Sequence, residues 1–315
     1  MEAPTRRLHR GRIKQIPIYL GKFFRMFVYQ NDWKVLPMSA LIAVIVAIVT
    51  GKNMFVTMEG TMMGSMALTC VCLWNGCFNS IQSVCRERGI VKREHRSGMH
   101  VSAYIGAHMI YQAALCMMQS IITLAVCAYA GMPFPKTGFL TGSIFLDLGV
   151  TLFLITYAAD MMSLFISCVV RTTTSAMTVM PLVLIVQLVF SGMLFTSGAG
   201  SDVYSSLTIA RWGMRAICTQ ANYNALPMVS VWNQLMKFQN MEIMGGYPVY
   251  EIAKYMSENG LKEEFLKLSG SMQMNPEYVY TKANVLYSWM HLIVFVLVFA
   301  LLAMLVLRRV DRDKR

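Results

Sequence analysis

The sequence predicts an all-α membrane protein, and three observations predict it. Hydrophobic residues fill 56% of the 315 positions and charged residues only 14%, with a mean hydropathy of +0.50. A soluble domain carries roughly 25% charged residues. The apolar residues gather into six runs near the roughly 20 residues that a membrane helix requires. The formal charge of +12 is unevenly placed between those runs. This combination excludes most soluble enzymes. It reads as a membrane protein with a cationic cytosolic face rather than a nucleic-acid binder. No Ser/Gly/Pro-rich linker divides the chain, so a single membrane domain is expected over residues 36–310, preceded by a tail and lead helix over 1–35.

The elements follow in order. Met1–Arg12 is basic, but no apolar run follows it, so it does not read as an export leader. Ile16, Tyr19, Leu20, Phe23, Phe24 and Phe27 recur near helical spacing, with Lys14, Lys22 and Arg25 between them. That pattern is an amphipathic helix lying in the cytosolic interface. The expected spans are Leu36–Thr50 (extendable back to Trp33), Met62–Val84, Val101–Ala130, Phe139–Val170, Ser175–Phe195 and Val285–Leu307. The third and fourth exceed bilayer thickness and should tilt or protrude. The segment 196–284 is too long for a structureless loop. Within it, VYEIAKYMSENGLKEEFLKLSG reads as two short helices, broken at Asn259-Gly260 and stopped at Gly270.

Charge orients the spans. Residues 1–35 hold eight Lys/Arg against two acids, 85–100 five against two, and 308–315 five against two. With Arg171, that face totals +13, while the other face, including 196–284 with seven of each sign, totals +1. Positive charge marks the cytosol. Both termini and 85–100 are therefore expected in the cytosol, and 196–284 outside, in a plasma-membrane protein.

Chemistry-bearing residues are few. The eight cysteines lack zinc spacing and read as small apolar packers. No HExxH and no Ser/His/Asp set is present, so no catalytic or metal residues are assigned. Asp147 and Asp160 fall in the fourth span, where an ionisable group is costly and of functional interest. Their spacing of 13 turns about 220°, so they do not share a helical face. His108 and His291 stand alone and read as core histidines. The densest charge lies in CRERGIVKREHRSGMHVSAY, a short segment held between two long spans, where it can transmit force to a soluble partner.

This segment, with its approach, resembles the ABCG-type exporters of the ABC-2 superfamily. Asn75, Cys77, Phe78, Glu87, Glu94, Ser97, Gly98 and Tyr104 occur in the order of that family's junction between its second and third spans. Phe190-Ser191-Gly192 and the group Arg211, Trp212, Gly213 and Ala216 are similar to two further family motifs. The likeness covers about residues 15–310. Two departures stand out. No GxxxxGK[ST] phosphate loop is present, and Leu268-Ser269-Gly270 only mimics an ATPase signature. Cys70 and Val71 occupy the places of a phenylalanine pair in drug-binding members, which argues against a flat aromatic substrate.

The resemblance implies an ABCG-like type II exporter fold with six spans behind an amphipathic connecting helix. It implies a permease paired with a second permease subunit, identical or similar, surrounded by lipid. A separate cytosolic ABC ATPase would hold ATP and Mg, with no cofactor on this chain. By the same likeness Asn75 and Phe78 would line the substrate path, faced by Leu188 and closed by an apolar plug of Met193 and Leu194. Arg86, Glu87, Arg88, Lys92, Arg93, Glu94 and Arg96 would couple the chain to the ATPase. An amphipathic or lipid-like substrate would be exported by alternating access. An ion-coupled carrier using Asp147 and Asp160 remains an alternative, although no inverted repeat is visible. A membrane sensor or scaffold is another.

The charge asymmetry makes a topological prediction. In a cysteine-free background on intact cells, an impermeant thiol reagent will label Ser201→Cys and spare Ser97→Cys. The reverse pattern inverts the orientation.

Overall fold

The computed structural model describes residues 11–30, 32–135, 138–191, 201–242 and 245–309. Its architecture is helical. The chain begins with α1 (Arg12–Tyr29), then a 3-10 turn at Asp32–Lys34 leading into α2 (Val35–Thr50). Next come α3 (Met58–Ser80), the short α4 (Ser83–Arg86) and α5 (Arg88–Arg96), and the long α6 (Val101–Tyr129) and α7 (Ile144–Val169). After α8 (Thr173–Val189) come α9 (Ser201–Ser206), α10 (Ile209–Gln220), α11 (Ser230–Lys237), α12 (Pro248–Glu258), α13 (Lys262–Met272) and finally α14 (Lys282–Leu307).

Among the described residues, five helical segments are long and apolar enough to cross a membrane: Asp32–Asn53, Met58–Arg86, Val101–Tyr129, Ile144–Val169 and Lys282–Leu307. The remaining expected span is α8, apolar but only 17 residues long. At 1.5 Å per residue it reaches about 26 Å, short of the ~30 Å hydrocarbon core.

The bundle is built around α7. Seventeen of its 26 residues are buried, and it packs against α3, α6, α10 and α14. By contrast α2 and α14 bury few of their residues and leave many apolar side chains exposed, among them Leu41, Ile48, Leu297 and Leu301, as lipid-facing helices do. The α3–α7 crossing is tightest at Gly76. A Cβ there would lie 2.2 Å from the Thr156 carbonyl oxygen and 2.8 Å from both the Ala159 Cβ and the Asp160 nitrogen. Small residues allow membrane helices to approach until backbones touch. Around that contact Ser80 Oγ donates to Asp160 Oδ1 at 2.6 Å, and Gln112 Nε2 donates to Ser80 Oγ at 2.7 Å. Asn79 and Gln119 exchange two amide hydrogen bonds at 2.8 and 3.0 Å, joining α3 to α6.

Helix α10 belongs to the segment 196–284 expected on the extracytoplasmic side, and the sequence reading did not foresee how closely it packs into the bundle. Ten of its 12 residues are buried, and it packs among α3, α7, α8 and α14. A Cβ at Gly213 would fall 2.8 Å from Ile155 Cδ1 and 3.4 Å from Thr69 Cγ2. Those two residues each lie 11 positions inside their helices, about 16 Å from the helix starts. Hydropathy could not reveal this, because 12 residues with two arginines do not look like a span. The arginines have local partners: Arg211 pairs with Glu277, while Arg215 donates to Asn284 Oδ1 at 2.8 Å and lies over the Trp212 and Tyr287 rings. At the N-terminus of α10, Gln187 Oε1 accepts from Ile209 N at 2.8 Å and Ala210 N at 3.3 Å. It thereby satisfies backbone donors that a helix start leaves orphaned.

The two short helices expected after Pro248 are α12 and α13, and Gly260 between them has φ +68°. Gly270, expected as a stop, instead lies inside α13, which runs to Met272. Its lack of a side chain serves packing: a Cβ would stand 2.6 Å from the Leu226 carbonyl oxygen.

The Gly76 contact predicts an asymmetry between two glycines. Gly76→Ala will lower stability by about 1–3 kcal/mol, because backbone must shift. Gly106→Ala meets only Ile16 Cδ1 at 3.9 Å and will be neutral or stabilising by up to about 1 kcal/mol. Thermal unfolding in detergent checks both, and equal melting temperatures would remove Gly76 from the centre of the fold.

Candidate functional site

The charged segment between the second and third spans folds as α4 and α5, and three anchors hold it. The first is ionic. Lys22 of α1 lies 3.0 Å from Glu87 Oε2 and 3.7 Å from Glu94 Oε1. Glu87 and Glu94, seven residues apart, share one face, and that face looks toward α1. Glu87 is buried. The second anchor is Arg88, whose guanidinium donates to the Cys168 and Val170 carbonyls at 2.9 Å each. Basic side chains suit this position, because the last carbonyls of a helix lack partners and carry partial negative charge. The third is Gln15, which donates to the Gly98 carbonyl at 3.2 Å and accepts from His100 N at 2.9 Å.

With the acids turned inward, the outer face of α4–α5 consists of Arg86, Gly89, Ile90, Arg93 and Arg96. Ile90 is exposed amid this basic rim. Lys92 is half-buried on the flank. Ile90 is a residue that charge counting missed, since an apolar side chain in a basic stretch reads as filler.

Helix α1 is joined to α6 by edge-on and tilted ring contacts. Tyr19 and Phe23 meet Tyr104 edge-on at 5.6 and 5.7 Å, Phe23 lies 4.0 Å from His108, and Phe27 meets Tyr111 at 6.3 Å. Thus Tyr19, Phe23 and Phe27 form one stripe directed at the bundle, while Phe24 is exposed. Burial, with the Glu94 carboxylate beside it, pushes the Tyr19 phenol up to about 12.

The residues expected along the substrate path occupy different surroundings. Asn75 is 4% exposed and donates to Ser39 Oγ of α2 at 2.9 Å. Phe78 is 41% exposed and stacks with Trp74 at 5.4 Å, the pair forming an aromatic step on the outer surface of α3. Trp74 is a second residue missed, because its spacing matches core packing equally well. Leu188 packs on the core. Met177 of α8, not Leu188, lines a cavity with Phe78; Leu188 lies 11 residues further along, about 16 Å at helical rise. Met193 and Leu194 lie outside the described residues.

The two span acids separate in role. Asp147, at the first turn of α7, accepts from Leu140 N at 2.7 Å, Thr141 N at 3.1 Å and Thr141 Oγ1 at 2.8 Å. It fastens the preceding loop. Asp160 is fully buried, with Ser80 on one oxygen and no hydrogen-bond partner on the other. His291 stacks on Trp212 at 3.8 Å. Seven of the cysteines are buried and Cys70 is half-buried.

Comparison with known proteins adds the family. A family model described as ABC-2 type transporter matches residues 21–216, which takes in the second half of α1, all of α2 through α9 and most of α10. An ABC transporter ATP-binding/permease protein of Mycobacterium tuberculosis is 30% identical over 144 residues, 44% of this chain. The chain spans about 16% of that relative's length.

The ionic anchor can be measured by a double-mutant cycle of Lys22→Met and Glu87→Gln. The pair is more protected than a surface ion pair and less than a fully buried one. Its coupling energy should fall at about 1–2 kcal/mol, between the ~0–1 of exposed pairs and the 3–5 for breaking buried ones. Chemical unfolding in detergent gives the four stabilities. A coupling within error of zero would make the contact incidental.

Proposed function

The chain belongs to the ABC-2 type transporter family, and from that premise we propose that it is the membrane permease subunit of an ATP-driven exporter for an amphipathic or lipid-like substrate. The observation that supports this most is the arrangement of α4 and α5. A short helix with an exposed basic and apolar face is fastened to both α1 and the end of α7. In this reading ATP and Mg are held by a separate cytosolic ATPase, which docks on Ile90, Arg93 and Arg96. The fused ATP-binding/permease architecture named for the mycobacterial relative supports such a pairing.

The six-span, ABCG-like topology is part of the proposal. Helix α8 supplies the sixth span, shorter than the others because α10 completes the bundle beside it. Both termini and α5 are cytosolic in the plasma membrane, and α11 to α13 are outside. Two permeases, identical or similar, face each other through α3 and α8. The exposed Trp74–Phe78 step, with Met177 beside it, forms the wall of the path between them. Asn75 supports that wall from behind by holding α3 to α2. Alternating access then follows when closure of the ATPases displaces α4–α5, and α1 and α7 tilt with it.

The buried Asp160 is the observation on which the ion-coupled alternative rests. It is weakened by Asp147, which lies on a different face of α7 and whose oxygens are committed to Leu140 and Thr141.

Co-expression with the ATPase of a neighbouring reading frame tests the reading. Ile90→Asp will lower recovery of the ATPase in a pull-down by about tenfold, one interface contact's worth, with the melting temperature unchanged. Phe78→Ala will keep recovery and melting but lose ATP-dependent uptake into inverted vesicles. ATP-independent transport, or recovery unaffected by Ile90→Asp, would refute the coupling scheme.

A further inference from the structure

The region between α1, α3, α4 and α6 encloses a cavity of about 280 Å³. We propose that it is a binding site for the hydroxyl head of a neutral amphipathic molecule. Two buried side chains in its wall have unused hydrogen-bonding capacity. His108 is 4% exposed, and neither ring nitrogen has a partner. Gln112 is 1% exposed; its Nε2 donates to Ser80, while its Oε1 has no partner. Buried polar atoms are nearly always paired, and each exception calls for an explanation. Here both exceptions line the same void. Two other polar groups on the wall are engaged: the Asn79 amide is exchanged with Gln119, and the Ser83 hydroxyl donates to the Asn79 carbonyl.

The charges at the wall already have partners. Arg86 lies 3.7 Å from Asp32 and donates to Gln30 Oε1 at 2.7 Å, and Glu87 holds Lys22. An ionic head would therefore enter without a counter-charge, at a high desolvation cost. A hydroxyl fits, since it accepts from the imidazole N–H and donates to Gln112 Oε1. The rest of the wall is apolar and aromatic: Phe23, Ile81, Tyr111 and Leu115. Size limits what enters. Whole drug-like ligands occupy roughly 300–1,000 Å³, so this cavity takes a head and its first carbons. The remaining chain leaves across Phe78 and Met177, both 41% exposed on the rim. His108 and Gln112 lie seven and eleven residues after Val101, about 10 and 17 Å along α6, so the head is drawn well below the α5 end.

The proposal concerns binding and is read without nucleotide, apart from whether the molecule is transported. The probe is a hexadecanol analogue with a diazirine beside its hydroxyl, added to the full complex in nanodiscs. Saturable labelling is expected on peptides of α1 and α6. Plain hexadecanol should displace it at concentrations at least about tenfold below those needed for hexadecylamine or hexadecanoate. Gln112→Leu and His108→Phe should each cut saturable labelling by about tenfold, the equivalent of one neutral hydrogen bond. Should those variants fail to fold, Met177→Trp at the exposed rim closes the cavity and must abolish labelling. Non-saturable labelling spread over α2 and α14 would mean that the cavity holds only water. Equal displacement by the amine would overturn the neutral head.

Discussion

The rest of the structure depends on the contact of α3 with α7 at Gly76, where one helix backbone lies against the other with no side chain between them. Because α7 is the axis of the bundle, that contact sets where α6, α10 and α14 pack. It also places Ser80 against Asp160 and, through Gln112, ties the same point to α6. In lipid, apolar side chains gain nothing by leaving solvent, so close packing and interhelical hydrogen bonds must supply the association energy. Both meet within one turn of α3.

How much of this was legible in the sequence depended on whether the signal was local. Apolar length located α2, α3, α6, α7 and α14 within a few residues, and the amphipathic period located α1. The Phe23 stripe was also visible, since Tyr19, Phe23 and Phe27 repeat every four residues. What could not be read was the identity of each partner. Glu87 and Glu94 have the composition of an outward acidic face, yet Lys22, 65 residues before Glu87, turns them inward. Likewise Gly270 looks like a helix stop, because the Leu226 carbonyl that needs its missing Cβ is remote in sequence. Helix α10 escaped because the partners of Arg211 and Arg215 are Glu277, Asn284 and Tyr287, residues that pattern reading assigns to another element.

The path residues show the same limit in a finer form. Asn75 and Phe78 are three apart and share a side of α3 in projection. Their neighbours still divide them: α2 takes the amide through Ser39, while Phe78 lies against Trp74 and remains exposed. A spacing argument fixes direction to within a helical face, and a face is wide enough to hold both a buried and an open position. The cavity under α1 was illegible for a related reason. A void is defined by several elements that fail to meet, and no single segment encodes it.

These contacts bear on how a displacement at α5 would travel. The segment is fastened at both sides, by Glu87 to α1 and by Arg88 to the last carbonyls of α7. It cannot swing without straining one of them. Ion pairs and charge-assisted bonds are stiff over short distances, whereas the α1–α6 junction is made of rings that can slide by edge contact. A push on Ile90 and Arg93 would therefore pass first to α7, and from α7 across the Gly76 contact to α3. Helix α8 would follow from the other end, because Gln187 joins it to α10, which packs on α3 and α7. The two helices proposed to face a second subunit are thus reached from opposite ends of the bundle through one axis. That arrangement favours tilting α3 and α8 as a pair over moving either alone.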